Sequence, residues 1–393
     1  MSNLKKLDVL YRGRKVGTLA ETRDRRIAFE YDRRWLEEGF PISPFSLPLE
    51  KKVFLPKAEP FDGLFGAFAD SLPDGWGRLL VDRMLLRKHI DPHQTGSLDR
   101  LAIVGESGMG ALTYHPCREW TSPVQTADYD RIAAQCRQML LTDTAEDFDQ
   151  LFRMGGSSGG ARPKILTNVE GEAWLIKFPS TNDKPDIGIQ EYAYARCAAA
   201  CGIEMSETRL FPSALCGGYF GTKRFDRYLD EDGRQQRVHM LTVSAILETS
   251  HRIPNLDYHT LMRLTAILTR DYSQLIQLFR RMCFNVFAHN RDDHSRNFTY
   301  LYDEEEDRWR LSPAYDLTYS NSIGGEHATC VNGNGANPGR EDLLAVAAQA
   351  GIEAKEAANI LAEVEEKVRD LGLCSDKTGK LPEGTGPSGN CRI

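Results

Sequence analysis

Long apolar runs are absent from this 393-residue chain. Nothing approaches the roughly 20 consecutive apolar residues of a membrane-spanning helix, so no partnership with a membrane is expected. The opening MSNLKKLDVLYRGRKVG is basic, yet no apolar stretch follows it, so no secretory leader is visible. The C-x-x-C spacing is missing too, and nine scattered cysteines make no disulfide framework. Reduced thiols and a cytoplasmic location fit that usage. Cys197 and Cys201, one helical turn apart, are expected side by side on a buried face. A basic surplus is lacking: 49 Lys and Arg stand against 56 Asp and Glu, for a net charge of -7. A chain gripping nucleic acid through its own surface usually shows the opposite balance.

What is present reads as ordinary globular sequence, 41% hydrophobic and 27% charged. The length suits about two or three domains. In LDVLYRGRKVGTLAE two apolar runs flank RGR, the pattern of a hairpin, and RRIAFEYDRRWL adds a strand. FDGLFGAFADSLPDGWGRLLVDRMLLRKHI predicts helices broken at LPDGWG, where Pro73 and Gly75 punctuate. SLDRLAIVGESGMGALTYHP reads as a helix, a glycine loop and a strand. Two helices are expected within 121–154. The stretch GGSSGGARPK then leads into two strands turned at Glu170–Gly171. In the second strand Trp174, Ile176 and Phe178 alternate with Leu175 and Lys177. A helix stopped by Gly202 follows.

Further strands are expected around YFGTKRFDRYL and RVHMLTVSAIL, and helices from about residue 255. A hairpin at FTYLYDEEEDRWRLS carries an acidic tip, 303–307, expected to be solvated. The expected division is a mixed α/β unit over 1–120, a region with the glycine-rich loop over 121–250, a helical region with catalytic loops over 251–373, and a mobile tail over 374–393.

Chemistry concentrates in four features, in chain order. A Gly–Ser loop precedes a strand; Lys177 lies on the next strand; a helix carries Glu191; and Asp292 stands five residues before Asn297, with Asp316 a further 19 on. That is the order of parts in a protein kinase. There a glycine loop covers phosphates, a strand lysine holds them and pairs with a helix glutamate, and an Asp-x4-Asn loop supplies a base and a metal ligand. The offset selects Asp292 over Asp293 as the residue that positions or deprotonates the acceptor hydroxyl. Asn297 and Asp316 are then magnesium ligands, because that hard ion prefers oxygen donors. His294 is expected to brace the loop and Asp293 to be solvated. The familiar G-x-G-x-x-G, H-R-D and D-F-G signatures are absent; GGSSGGARPK, NRDDHSRN and AYDLT stand in their places. An alternative reads His289, Asp292, Asp293 and His294 as ligands of a metal-dependent phosphohydrolase, which leaves the glycine loop and Lys177 without a role.

FADSLPDGWGR, GGSSGGARPK, LIKFPS, QEY, KRFDR, NRDDHSRNF and LSPAYDL, in this order, resemble the HipA family of bacterial serine/threonine kinases, the toxins of toxin–antitoxin pairs. The resemblance covers most of the chain. It implies an α+β, two-lobed, protein-kinase-like fold with an N-terminal mixed α/β subdomain. It implies ATP and Mg2+ as cofactors, and phosphorylation of serine or threonine on a protein such as an aminoacyl-tRNA synthetase. It implies a small helix-turn-helix antitoxin that links the kinase to operator DNA. By position, Lys177 matches the nucleotide lysine, Lys164 a phosphate-side lysine, Asp292 the catalytic aspartate, and Asn297 and Asp316 the metal ligands. Ser157, Ser158, Gly159 and Gly160 form the nucleotide loop, with backbone near Leu241 and Val243 expected against adenine. Ser157, with Ser158 as its rival, matches the family's autophosphorylated serine. A phosphate there brings about -1.5 to -2 charge onto a loop built for an anion, and is expected to eject it. The alternative within this resemblance is a catalytically silent, antitoxin-binding corepressor.

Overall fold

The chain reverses after Tyr11 because Arg12 and Gly13 both take positive φ, 48° and 76°, the two-residue turn that suits a twisted hairpin. The structure is a computed structural model and describes residues 4–118, 128–322, 324–370 and 372. Strands Lys6–Tyr11 and Arg14–Glu21 pair antiparallel, as the sequence predicts. They sit within a five-stranded antiparallel sheet, flanked by Ile27–Tyr31 and Val53–Phe54 on one side and Leu112–His115 on the other.

Two compact units divide the chain: Met1–Ile189 with Glu207–Ser250 and Thr299–Asp307, and Gln190–Ser206 with His251–Phe298 and Arg308–Ile393. In the first, helices form at Gly66–Ala69 and Gly75–Arg87, with the break falling before Gly75 of LPDGWG. Asp74 caps the second by accepting from the Gly75 N–H at 2.7 Å. Trp76, Leu80, Val81, Met84 and Leu85 bury one stripe of that helix. They pack with Leu151 and Phe152 of helix Phe148–Gly155 and with Trp174 and Ile176 of strand Glu172–Lys177. One core therefore joins residues on both sides of the division expected near residue 120. That division and the tail over 374–393 lie outside the described residues.

Strand Glu172–Lys177 belongs to a four-stranded antiparallel sheet, between Lys164–Val169 and Tyr219–Lys223, with Thr208–Phe211 at the far edge. Its first turn is at Glu170–Gly171, both with positive φ, as predicted. Two expectations change. VSAIL is a short helix, Val243–Ile246, rather than strand, because the Thr242 hydroxyl caps it by accepting from the Ala245 N–H at 3.2 Å. The acidic tip is not merely solvated: Glu304 accepts the Tyr11 hydroxyl and lies 3.0 Å from the Arg12 guanidinium.

KRFDR marks where this unit buries charge. Asp226, with no exposed surface, takes two bonds from Arg224 at 2.9 and 2.8 Å, one from Arg227 at 2.8 Å, and the Gly110 N–H at 2.7 Å. Arg227 also donates to the Gly108 and Gly110 carbonyls, at 2.7 and 2.9 Å. The glycine loop of GESGMG is thus held by guanidinium groups 116 residues or more away in sequence.

His239 is buried in the same unit and its Nε2 donates to the Ile42 carbonyl at 2.8 Å. Burial holds its ring down at about 4, against 6.5 for a free imidazole. The folded state therefore resists a proton that the unfolded chain accepts. The stability this site contributes is present above about pH 6.5 and is lost as pH falls toward 4. Going from pH 7 to pH 5 should cost roughly 2 kcal/mol through this residue. Urea unfolding at both values, beside His239→Gln, checks it; the variant should lose that part of the pH dependence.

The second unit is mainly helical. Helices Tyr258–Thr269 and Tyr272–Phe287 start at Asp257 and Asp271, whose carboxylates accept from the His259 and Ser273 N–H groups at 2.8 and 2.9 Å. Helix Ala354–Asp370 buries Ala357, Ile360, Leu361, Val364 and Val368. Cys197, on helix Ile187–Ala200, and Cys201, just past its end, are both buried, their thiols directed at the Lys367 and Val364 carbonyls. Among the described residues, no helix is long and apolar enough to cross a membrane.

Candidate active site

The Gly–Ser loop of the first unit is held from behind. The Asp74 and Trp76 N–H groups donate to the Ser158 and Gly160 carbonyls at 3.4 and 2.9 Å, and the Trp76 indole donates to the Lys164 carbonyl at 3.0 Å. Lys164 Nζ donates to the Gly159 carbonyl. With these carbonyls turned inward, exposed Gly159, Gly160 and Ala161 present the amide side of the backbone, the polarity that an anion needs. Glycine is required at the contact. A Cβ at Gly75 would lie 2.4 Å from the Gly160 carbonyl oxygen, and one at Gly77 would lie 2.2 Å from that of Ser158. Gly160 itself has φ 80°, and a Cβ there would meet Lys164 Nζ at 2.5 Å.

Glycine to alanine normally stabilises a helix interior by about 1 kcal/mol. Gly77→Ala should reverse that sign and cost about 1–3 kcal/mol, because the added methyl drives the helix off the loop. The midpoint of urea unfolding reads it.

Both serines lie under this contact. Ser157 and Ser158 are buried, and the Ser158 hydroxyl donates to the Gly155 carbonyl at 2.6 Å. Lys164 and Lys177 stand directly opposite each other across the strand pair, so their side chains share one face. Lys164 is buried, and Lys177 stands 5.6 Å above the Phe220 ring. Beside the expected adenine segment, Leu241 is buried in strand Met240–Thr242 opposite Tyr300. The Thr242 N–H and hydroxyl are taken by Asp70 at 2.7 and 2.9 Å.

The second unit separates the two aspartates. Asp292 keeps 56% of its side chain exposed, whereas Asp293 is wholly buried. Asp293 accepts the Tyr258 hydroxyl at 3.0 Å, His327 Nδ1 at 3.0 Å and the Thr329 N–H at 3.1 Å. Burial, reinforced by the Asp293 charge, keeps the Tyr258 phenol protonated far above its usual range. Asp293 is therefore a structural carboxylate rather than a solvated one, and its acceptor sites are occupied.

The Asn297 carboxamide donates to the Asp292 carbonyl across the loop. His294 caps the turn Ser295–Asn297 by accepting from the Arg296 N–H at 3.2 Å, and its Nε2 lies 3.8 Å from Asp292. Tyr315 bonds the Arg296 carbonyl at 2.6 Å, which fixes the residue before Asp316 against this loop. Asp316 is exposed, with φ 53°, a conformation that Asp tolerates better than most residues. Glu191 is buried on its helix in this unit, whereas Lys177 belongs to the first.

The expected metal donors, the carboxamide oxygen of Asn297 and the carboxylate of Asp316, are of the hard oxygen type that magnesium prefers. The phosphohydrolase set does not form. His289 stacks on Tyr319 with ring centroids 5.1 Å apart and bonds Asn321, and Asp293 is committed elsewhere. Among the described residues, no group of three or more His, Cys, Asp or Glu could hold a metal. Reasoning from sequence missed Asp74, Trp76 and Gly77 as loop partners, and Asp70 as the partner of Thr242. A tryptophan between two glycines at a helix start was the signal available for the first group.

A family model described as the HipA-like C-terminal domain matches residues 156–371, and one described as the HipA N-terminal domain matches 7–115. Two similar proteins of Sinorhizobium fredii (strain NBRC 101917 / NGR234) bear the names "Putative kinase Y4dM" and "Putative kinase Y4mE". The first is 24% identical, over 92% of this chain and 90% of its own. The second is 26% identical, over 79% and 76%. A solved complex of Shewanella oneidensis HipA, HipB and operator DNA contains a chain that superposes with TM-score 0.69 at 16% identity, over 93% of this chain and 89% of that one. That likeness shows the fold, α+β, two-lobed and kinase-like with its N-terminal subdomain. Spanned by both domain matches, with the C-terminal one alone covering more than half its length, this chain belongs to the HipA family.

Proposed function

We propose that this chain is an ATP- and Mg2+-dependent serine/threonine protein kinase and the toxin of a toxin–antitoxin pair. The observation that carries the reading is the facing pair Lys164–Lys177 at the foot of a loop whose carbonyls are turned away. Two cations and a row of amides suit the phosphates of a nucleotide. Asp292 takes the proton of the acceptor hydroxyl as its oxygen attacks the terminal phosphorus. The bond to the β-phosphate oxygen breaks and ADP leaves. Asn297 and Asp316 hold magnesium, which neutralises charge on the phosphates when bound. Leu241 and Val243 carry the base through their backbone, and His294 supports the loop that carries Asp292.

The substrate class is a protein of translation, such as an aminoacyl-tRNA synthetase. The partner class is a small helix-turn-helix antitoxin that brings operator DNA, in line with the Shewanella complex. Autophosphorylation falls on Ser157, or on Ser158 beside it. Because both are buried, the loop must leave its seat to present either hydroxyl. A phosphate added there keeps it out and switches the enzyme off.

The test is intact mass and peptide mapping after incubation with ATP and magnesium, beside Asp316→Asn. One phosphate on Ser157 or Ser158, absent from the variant, is the expected result. No phosphate, on protein first treated with phosphatase and shown to bind ATP, overturns the reading in favour of a silent corepressor.

A further inference from the structure

The second aspartate of NRDDH is wholly buried, and every partner it has is a donor. A carboxylate buried this deeply is tolerated only when its lone pairs are filled. Here they are filled from two separate stretches of chain: Tyr258 at a helix start, and His327 with Thr329, the latter in the short strand Thr329–Cys330. Because a carboxylate only accepts, His327 must carry its hydrogen on Nδ1. The Asp293 carbonyl also takes the Thr329 hydroxyl at 2.5 Å. The network runs on inward, from Tyr258 to the Asn285 carboxamide at 2.9 Å and from there to Asn290 at 2.9 Å. Asn290 and Asp293 bracket Arg291 and Asp292.

The same loop is laced a second time to the chain that leaves Asp316. The Arg291 N–H donates to the Ser320 carbonyl, and the Ala328 N–H donates to the Arg291 carbonyl, each at 3.1 Å. Consecutive Cα atoms are about 3.8 Å apart, so whatever moves Asp293 moves Asp292 with it.

We infer that Asp293 and His327 are a positioning pair for phosphate transfer: their buried contact fixes the aim of Asp292 and its register with the segment running from Asp316 to Thr329. The inference rests on the kinase reading above. Neither side chain touches substrate. His327 acts through Asp293, and Asp293 through the backbone of Asp292.

The full chain is compared as wild type, His327→Ala and His327→Asn. Asparagine returns an N–H donor close to the place of Nδ1. Initial rates of phosphate transfer and the KM for ATP are measured with magnesium saturating, per folded molecule. His327→Ala should lower kcat about thirtyfold or more and leave the KM for ATP within threefold; His327→Asn should recover most of the loss. Amide hydrogen exchange over 290–297 gives a second readout that needs no activity: faster in His327→Ala, restored in His327→Asn. Equal kcat in all three, or exchange over 290–297 unchanged by His327→Ala, overturns the pair. If wild type transfers no phosphate, the kinase reading fails, and the exchange result still decides whether this contact pins the loop.

Discussion

Asp292→Asn is expected to leave the chain folded and to lower phosphate transfer by about 10²–10⁴-fold, the usual contribution of a positioned proton acceptor. The side chain is more than half exposed. Asparagine fills the same volume, so stability should change by no more than about 0.5 kcal/mol. The backbone carbonyl that receives the Asn297 carboxamide is untouched, so the turn keeps its shape. What goes is the ability to take a proton and the negative charge of the carboxylate. Initial rates at saturating ATP, set beside the urea midpoint, separate these effects. A variant that keeps more than a tenth of the rate would show that Asp292 is not the acceptor.

Asp226→Ala should cost about 3–5 kcal/mol, the penalty for leaving buried charges without their counter-charge. A typical domain has about 5–15 kcal/mol in all, so this loss threatens the fold itself. The stranded groups are Arg224 and Arg227, with side chains 8% and 4% exposed. The Gly110 N–H loses its acceptor at the same time. Burial pushes the Asp226 carboxyl upward, but the two guanidinium groups outweigh it and hold the group well below the usual carboxylate range. A depressed carboxylate contributes stability above its unfolded value, near 4, and loses it as pH falls below that. Wild type should therefore weaken in acid more steeply than the variant. The shift in urea midpoint at pH 7, at constant slope, measures the first effect. Repeating it at pH 3 measures the second.

Much of the fold was legible because it depends on local rules. Period-two and period-3.6 patterns, with Gly13, Gly171 and Gly202 as punctuation, placed most strands and helices. The Asp–Asn offset singled out Asp292 over Asp293; in the fold Asp292 is exposed and Asp293 is buried. What sequence did not reveal is carried by groups that every residue has. Backbone N–H groups of Asp74 and Trp76 hold the Gly–Ser loop, and no side-chain pattern announces a backbone donor. Asp293 looked solvated because a lone Asp usually is. Its three donors lie 34 to 36 residues away on either side, beyond any periodicity. VSAIL misled because a buried apolar run fits strand and helix alike, and only the Thr242 cap decides.

The core shared by Trp76, Leu80, Phe152 and Trp174 has a consequence for exchange between relatives. A chimera joined between residues 118 and 128 would inherit one half of that packing from each parent. At about a quarter identity, the halves have drifted separately in the shapes they must match. Close-packed interiors tolerate such mismatch poorly. Recombination at that joint should therefore yield folded hybrids only when the helix Gly75–Arg87 travels with the sheet it covers. The first 118 residues are in this sense a fixed half of one body, not a cassette.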